Sequence, residues 1–199
     1  MSEGLVETSQ RRFRYEDPIE AYKVARRRIT NNARRRKQRS LDLSNFGLTE
    51  LPPEIGDLDE LQFLHIRGNR LTALPSEIGT LKSLIGLFVS RNFLAALPRE
   101  IGNLKWLRYL DLDDNELQTL PADLSNLDRL KDLEIQSNLF TELPEAIFAC
   151  LHLESLDFSD NEVSDLPAEI GRLRELIALN GNNNNLIDLP PQSDNWPSS

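Results

Sequence analysis

The chain has 199 residues, which is enough for one domain or two small ones. A hydrophobic content of 39% and a charged content of 28% are ordinary for a folded protein and exclude disorder along the whole chain. The net charge of −9 combines a basic start and an acidic remainder, since residues 1–40 carry a balance of +7 and residues 41–199 a balance of −16.

Membrane insertion, secretion and disulfide bonding are not predicted for this sequence. No run of about 18 apolar residues is present, and residues 1–10 lack the apolar stretch of a signal peptide. The single cysteine, Cys150, excludes an intramolecular disulfide, and a total of two histidines argues against a His/Cys metal site. We therefore expect a cytoplasmic protein with no metal and no cofactor.

The first predicted element is a helix that covers the start of the fold. Residues 1–16 are predicted to be a flexible basic N-terminus, and residues 17–40 an N-terminal helical cap. Asp17 and Pro18 are typical of the N-cap and the first helical position. On one side of this helix, at helical spacing, lie Ile19, Tyr22, Ala25 or Arg26, and Ile29. We expect this side to cover the first of the repeated units that begin at residue 41.

Two basic runs, residues 26–28 and 34–37, are expected to form the solvated face of this cap, where they can dock on acidic neighbours. No aromatic or groove-reading motif accompanies them. The acidic remainder of the chain would repel phosphate, so nucleic acid is not predicted as a partner.

From residue 41 to residue 190 the chain repeats every 23 residues without insertion or deletion. The first leucine of each unit falls at Leu41, Leu64, Leu87, Leu110, Leu133, Leu156 and Leu179. A second consensus apolar position follows two residues later, and this alternation is typical of a short strand with one buried face. A Leu-Pro pair comes later in each unit and is expected to begin a short helical turn. In four units a glycine is expected to end this turn: Gly56, Gly79, Gly102 and Gly171.

An asparagine recurs where the chain turns out of the strand in every unit except the first, which has Phe46 and is expected to be an end-repeat exception. The recurring asparagines are Asn69, Asn92, Asn115, Asn138, Asn161 and Asn184. An Asn amide can both donate and accept, so we expect a buried ladder that satisfies the backbone groups of the turns. Residues 191–199 are predicted to be a C-terminal tail, in which Trp196 either folds over the last unit or precedes further chain.

The phrase LxxLxLxxNxL, seen in residues 107–117, resembles the leucine-rich repeat. The longer pattern LPxxIGxLxxLxxLxLxxNxL is similar to the 23-residue class found in bacterial Roco-type proteins, Ras-group-related plant proteins and Scribble/Erbin-type scaffolds. The resemblance implies an α/β fold, a horseshoe-shaped solenoid of about seven repeats. It implies parallel strands on the concave side, short helical turns on the convex side and an N-terminal helical cap.

Positions that flank the consensus leucines of each strand are expected to project from the concave face. Phe63, Phe88 and Tyr109 lie on neighbouring strands about 4.8 Å apart, so their rings can form one patch beside an acidic field. The predicted partner-binding residues are Phe63, His65, Arg67, Phe88, Arg91, Tyr109, Asp111, Asp113, Glu134 and Asp157. Exposed aromatic and arginine side chains favour a protein interface. The alternative is that these are ordinary solvated positions.

No catalytic motif is present, and we predict that the chain is not an enzyme. Cys150 occupies a slot that holds leucine in other units, which predicts a buried core thiol. His65 and His152 are separated by nearly four repeats, so they cannot share a site. The acidic strands lack the closed-loop spacing of a calcium site. On the convex side Trp106 and Phe148 depart from the pattern, either as a second contact surface or as drift.

The sequence therefore predicts a non-enzymatic protein–protein recognition module, monomeric, that binds a protein partner on its concave face. The resemblance to the repeat class implies intracellular signalling or scaffolding. The alternative is the recognition segment of a larger multidomain enzyme, such as a Roco-type GTPase or a bacterial effector. The two differ in whether a catalytic domain follows Ser199.

Overall fold

The computed structural model describes residues 13–35 and 39–187, and a single parallel sheet organises them. Helix α1, Pro18–Arg35, comes first. The strands are β1 Ser40–Asp42, β2 Phe63–His65, β3 Gly86–Phe88, β4 Tyr109–Asp111, β5 Asp132–Glu134, β6 Ser155–Asp157 and β7 Ala178–Asn180. Strand order in the sheet equals chain order, and residues one repeat apart pair, as Leu87 does with Leu110. The predicted α/β solenoid with an N-terminal helix is confirmed.

Some sequence predictions lie outside the described residues. They concern residues 1–12 of the segment 1–16 predicted to be flexible, the side chains of the basic run at residues 34–37, and the C-terminal tail with Trp196. The predicted boundary between residues 190 and 191 lies outside them as well.

A short 3₁₀ helix follows the Leu-Pro pair of six units. These helices are Pro53–Asp57, Ser76–Thr80, Arg99–Asn103, Ala122–Asn126, Glu145–Ala149 and Ala168–Arg172. Their glycines do not adopt the left-handed conformation of a helix end, because positive φ among described glycines occurs at Gly47 and Gly68. Close approach of the next unit explains glycine at positions such as Gly79, where a Cβ would lie 2.6 Å from the backbone oxygen of Glu100. A Cβ on Gly171 would meet nothing within 4 Å, so this reason does not apply there.

The core is a column of stacked apolar side chains between the sheet and the 3₁₀ helices. The two consensus positions of β4 and its continuation, Leu110 and Leu112, are both buried, and so is Leu124 on the convex side. Equivalent residues recur in neighbouring units, so the solenoid buries its apolar surface unit against unit. Full burial of one such side chain contributes about 1.5–3 kcal/mol.

One position in each unit has left-handed backbone and turns the chain out of the strand. It is occupied by Asn45, Gly68, Arg91, Asp114, Ser137, Asp160 and Asn183, with φ between 52° and 63°. Asn, Asp and Gly tolerate this conformation better than other residues. Most units therefore carry a residue suited to the turn.

The recurrent asparagine follows this position and bonds two successive units together. Asn92 donates from Nδ2 to the Val89 carbonyl at 2.7 Å and to the Ile66 carbonyl at 3.1 Å, while its Oδ1 accepts from the Leu71 N–H at 3.1 Å. Five of the six asparagines are buried, and Asn184 is half-buried. The same three kinds of bond recur at each of the others.

Helix α1 covers the first unit through small residues. Ala21, Ala25 and Ile29 are fully buried, whereas Ile19 is 65% exposed. The predicted contact face is therefore confirmed at Ala25 and Ile29 and wrong at Ile19. The buried alanines let the helix backbone approach the first unit more closely than larger side chains would. Asp17 Oδ1 accepts a hydrogen bond from the Ile19 N–H at 2.9 Å, as an N-cap residue does.

Phe46, which replaces the asparagine in the first unit, anchors the segments around α1. Its buried ring lies 5.2 Å from the Tyr15 ring in an edge-on arrangement and 4.9 Å from the guanidinium carbon of Arg28. Arg26 Nε lies 2.6 Å from Glu54 Oε1 on the first 3₁₀ helix. Part of the basic run thus docks on an acidic residue of the first unit, as expected.

Candidate functional site

Two rows of side chains cross the concave face, one on each side of the buried leucines. The row before the leucines contains Phe63, Gly86, Tyr109 and Asp132, and the row after them contains His65, Phe88, Asp111, Glu134 and Asp157. Because the strands are parallel and in register, consecutive members of a row lie side by side. The face changes from aromatic to acidic between β3 and β5.

The aromatic part of the concave face is less exposed than the sequence predicts. Of its three rings only Tyr109 is exposed, at 41%, whereas Phe63 and Phe88 are half-buried. A Cβ on Gly86 would lie 2.9 Å from Phe63 Cδ1 and 2.9 Å from Phe88 Cε2, so both rings lean over this glycine. The predicted patch of three solvated rings is thus replaced by a floor of two rings beside the exposed Tyr109.

His65 and Arg91 border this floor in different ways. The His65 ring stacks on Phe88 with 4.6 Å between centroids and 3° between planes. Partial burial lowers the pKa of His65, an effect that Asp42 opposes and a nearby guanidinium reinforces. Arg91 is exposed, and its Nε lies 4.0 Å from Asp114 Oδ2.

Arg67 joins the aromatic part to the acidic part. Its guanidinium carbon lies 4.7 Å from the centroid of the Phe88 ring, and its Nη2 lies 2.5 Å from Asp111 Oδ2. Ser90 Oγ donates to the same oxygen at 3.0 Å, and Asp111 is only 4% exposed. The expectation that Asp111 faces solvent is therefore wrong, because Arg67 and Ser90 compensate its buried charge.

Three carboxyl groups in the acidic part are poorly compensated. Asp113 is half-buried rather than solvated, and burial raises its pKa to about 7, although Gln136 Nε2 donates to it at 2.5 Å. Burial, and then the charge of Asp111, raises the pKa of Asp132 and of Glu134. The buried Oδ1 atoms of Asp113 and Asp132 accept no hydrogen bond from residues 13–35 or 39–187.

Asp157 is half-buried and has a local structural task. Asp157 Oδ1 accepts hydrogen bonds from the Ser159 N–H at 2.9 Å and from the Ser159 hydroxyl at 2.6 Å. Asp157 Oδ2 accepts a hydrogen bond from Asn180 Nδ2 at 2.8 Å. Asp111 Oδ1 likewise accepts from the Asp113 N–H at 3.2 Å. These are Asx turns that close the end of a strand. The recurrence of Asp at this slot was the available sequence signal for them.

Asp111, Asp113 and Glu134 line a concave depression of about 630 Å³, to which Arg67 and Arg91 also contribute. Asp111, Asp113 and Glu134 each direct a carboxylate oxygen into one cluster, within 4.8 Å of one another. Ca²⁺ takes about six to eight oxygen ligands, and Asp111 already bonds to Arg67. We therefore assign no metal to this cluster.

The two convex deviations have different environments. Phe148 is 2% exposed and belongs to the core, whereas Trp106 is 49% exposed with the guanidinium carbon of Arg129 lying 3.8 Å from its ring. Cys150 is buried, and burial raises the pKa of its thiol to about 11, which disfavours the reactive thiolate.

Family comparisons agree with the architecture. A model described as a leucine-rich repeat region matches residues 32–95, and the Leucine Rich Repeat model matches residues 106–127 and 152–173. The chain belongs to the leucine-rich repeat family. Such repeats are generally protein–protein interaction modules and are typically not enzymes.

Solved structures with a similar fold extend this comparison. A leucine-rich repeat protein of Leptospira interrogans is 33% identical with a TM-score of 0.65, and the match covers 79% of this chain and 46% of that one. A TDR receptor is 33% identical with a TM-score of 0.67, over 79% of this chain and 28% of that one. The plant peptide hormone receptor RGFR1 in complex with RGF2 is 25% identical with a TM-score of 0.51, over 73% and 28% respectively.

The chain thus spans less than half the length of each of these proteins. No curated protein sequence matches it. Within the described part of the chain, no helix combines the length and the apolar composition that crossing a membrane requires.

Proposed function

We propose that the chain is a recognition module whose concave face, from β2 to β6, binds a protein partner in intracellular signalling or scaffolding. The observation that carries this proposal is the juxtaposition of the exposed Tyr109 ring with the poorly compensated carboxyl groups of Asp113, Asp132 and Glu134. Tyr109 fills no core position, and burial works against the charge of the three carboxyl groups. Aromatic anchors beside polar groups are typical of binding surfaces.

The chemistry of the face favours a partner segment with an apolar residue close to a lysine or arginine. The apolar group would pack on Phe63 and Tyr109, and the cation would approach Asp113 and Glu134. An opposite charge lowers the pKa of a carboxyl group, so binding should release protons near neutral pH. The interaction should also weaken as salt is added.

One solved neighbour supports a protein or peptide ligand for this fold. The plant receptor RGFR1 is in complex with RGF2 in its structure. The similar fold of the present chain supports binding of a protein or peptide ligand, because a row of solvated strand positions offers an extended contact surface.

A second proposal is that the chain forms the recognition segment of a larger protein, such as a Roco-type GTPase or a bacterial effector. It rests on the coverage of the solved neighbours, whose matched regions are 46% and 28% of their lengths. The downstream reading frame tests this proposal directly. A catalytic domain in that frame supports it, and a stop codon after Ser199 contradicts it.

The concave-face proposal is tested by crosslinking followed by affinity measurement. A photoreactive phenylalanine analogue at position 109 captures the partner in cells, and calorimetry with the purified partner then measures Kd. Tyr109→Ala should weaken binding about tenfold or more, as loss of an interface anchor does. Phe93→Ala is the matched control, since Phe93 is an aromatic residue of similar exposure, 44%, outside both rows. Equal Kd values for the two variants contradict the proposal.

A further inference from the structure

The flank between the convex helices and the concave strands carries a cationic and aromatic cluster. We call it the Trp106 patch, and it consists of Lys105, Trp106, Arg108, Arg129 and Lys131. Its four cations are a large share of the eleven lysines and arginines in residues 41–199, a region with a balance of −16. The patch is therefore a local exception to the charge of the repeats.

Contacts within the flank bring these residues together. Arg129 lies over Trp106 with 3.8 Å between its guanidinium carbon and the ring centroid. Arg108, Arg129 and Lys131 line one depression of about 560 Å³ together with Asp128, His152 and Glu175. Lys105 Nζ donates to the Asn126 carbonyl at 2.7 Å. The stacked arginine and indole form a preorganised platform.

Acidic side chains balance part of the positive charge of the flank, since Asp128 and Glu175 line the same depression. Lys131 forms an ion pair with Glu154, and Glu175 bonds to His152. The guanidinium of Arg108 has no hydrogen bond or ion pair to any of residues 13–35 and 39–187. The exposed Arg108, which has no partner among the described residues, thus lies beside the stacked Trp106–Arg129 pair.

Packing of the core does not explain a tryptophan at position 106. Its repeat slot is otherwise held by Glu60, Ser83, Arg129, His152 and Glu175, all of them polar. An indole that is 49% exposed fills no core position. Tryptophan and arginine are the residue types enriched among interface anchors.

We propose that the Trp106 patch is a second interaction surface, which binds an acidic segment of a partner protein. Carboxylates of that segment pair with Arg108 and Arg129, and a neighbouring apolar side chain packs on the indole. A long polyanion fits less well, because it would extend from this small patch over the acidic remainder of the repeats. This surface is separate from the concave rows and does not depend on the function proposed for them.

The proposal is tested with a fluorescein-labelled peptide that repeats Glu-Glu-Phe-Gly three times. Fluorescence anisotropy measures its Kd for the full chain, and the indole N–H resonance of Trp106 reports the location. We expect the indole resonance to shift, binding to weaken with salt, and a peptide with Gln in place of Glu to bind at least about fivefold more weakly.

Variants decide whether the patch itself is responsible. Arg108→Glu and Trp106→Ala should each weaken peptide binding by about fivefold or more. Arg174→Glu is the matched control, since Arg174 occupies the repeat slot of Lys105 three units later, and it should change Kd by less than about twofold. Far-ultraviolet circular dichroism verifies that each variant folds.

Three results overturn the proposal. They are absence of peptide binding, binding that Arg108→Glu and Trp106→Ala leave unchanged, and tighter binding of phosphatidylserine vesicles or duplex DNA than of the peptide. Tyr109→Ala should leave peptide affinity unchanged, which separates this surface from the concave face.

Discussion

Replacing Asn115 with alanine should destabilise the fold through a single orphaned backbone donor. Asn115 makes four hydrogen bonds, one accepted from the Leu94 N–H at 3.0 Å and three donated to carbonyl oxygens. Each of those carbonyls keeps another donor: Val89 keeps Asn92, Leu112 keeps Asn138 and Asp113 keeps the Arg91 N–H. The Leu94 N–H, in contrast, loses the one acceptor that it has.

An unsatisfied buried donor costs about 1–3 kcal/mol. We therefore expect Asn115→Ala to lower the free energy of unfolding by about 2 kcal/mol, which corresponds to a fall in Tm of roughly 4–8 °C for a chain of this size. Equilibrium denaturation in urea measures this difference. Asn115→Asp should cost at least as much at neutral pH, because its carboxylate would face the Leu112 carbonyl that now lies 2.9 Å from Nδ2.

The matched control is Asn103→Ala, an exposed asparagine at the end of a 3₁₀ helix. Its effect should stay within about 0.5 kcal/mol. If Asn115→Ala costs no more than Asn103→Ala, the claim that the asparagine amides satisfy the buried turns is refuted.

Three further changes test other parts of the structure. Because the folded pKa of Asp113 is raised to about 7 from the ordinary 3.8, the contribution of Asp113 to stability should fall between about pH 4 and pH 7. Asp113→Asn should therefore raise the free energy of unfolding by about 1–2 kcal/mol above pH 7, after allowance for solvent screening. Below about pH 4 the variant and the wild type should have equal stability in denaturation curves. A difference that does not depend on pH would contradict this prediction. Gly86→Ala should cost about 1–3 kcal/mol because two rings lie 2.9 Å from the new Cβ, whereas Gly171→Ala, which meets nothing within 4 Å, should cost none; equal effects would refute the packing described for the aromatic floor. Ile29→Ala should cost about 2–5 kcal/mol and speed amide exchange in β1 more than in β5, and uniform acceleration would argue against a terminal cap.

The strands, their register and the core follow directly from the sequence, because each depends on a pattern local to one unit. The alternation of Leu110 and Leu112 places one face of a strand inward, and the unbroken 23-residue period aligns every strand with the next. The position of Asn115 at the strand exit likewise predicts burial, because a turn there needs an amide that both donates and accepts.

Contacts between units account for what the sequence did not reveal. Asp111 on β4 is buried because Arg67, which follows β2, reaches across the intervening strand to it. Gly79 avoids the backbone of Glu100 in the following unit, a distance that no pattern within one unit contains. The same holds for α1, where Ala21 is buried and Ile19 is exposed because small residues, not the most apolar ones, set how closely the helix approaches.

The most direct test of concave-face recognition is a map of backbone amide chemical shifts in the presence of the partner captured through position 109. We predict the largest chemical-shift changes in β2 to β6 and in the turns that follow them. These turns include Gln136 and Ser90, which contact the acidic part of the face. The 3₁₀ helices on the convex side should change little. Changes confined to those helices, with the concave strands unaffected, would contradict the account.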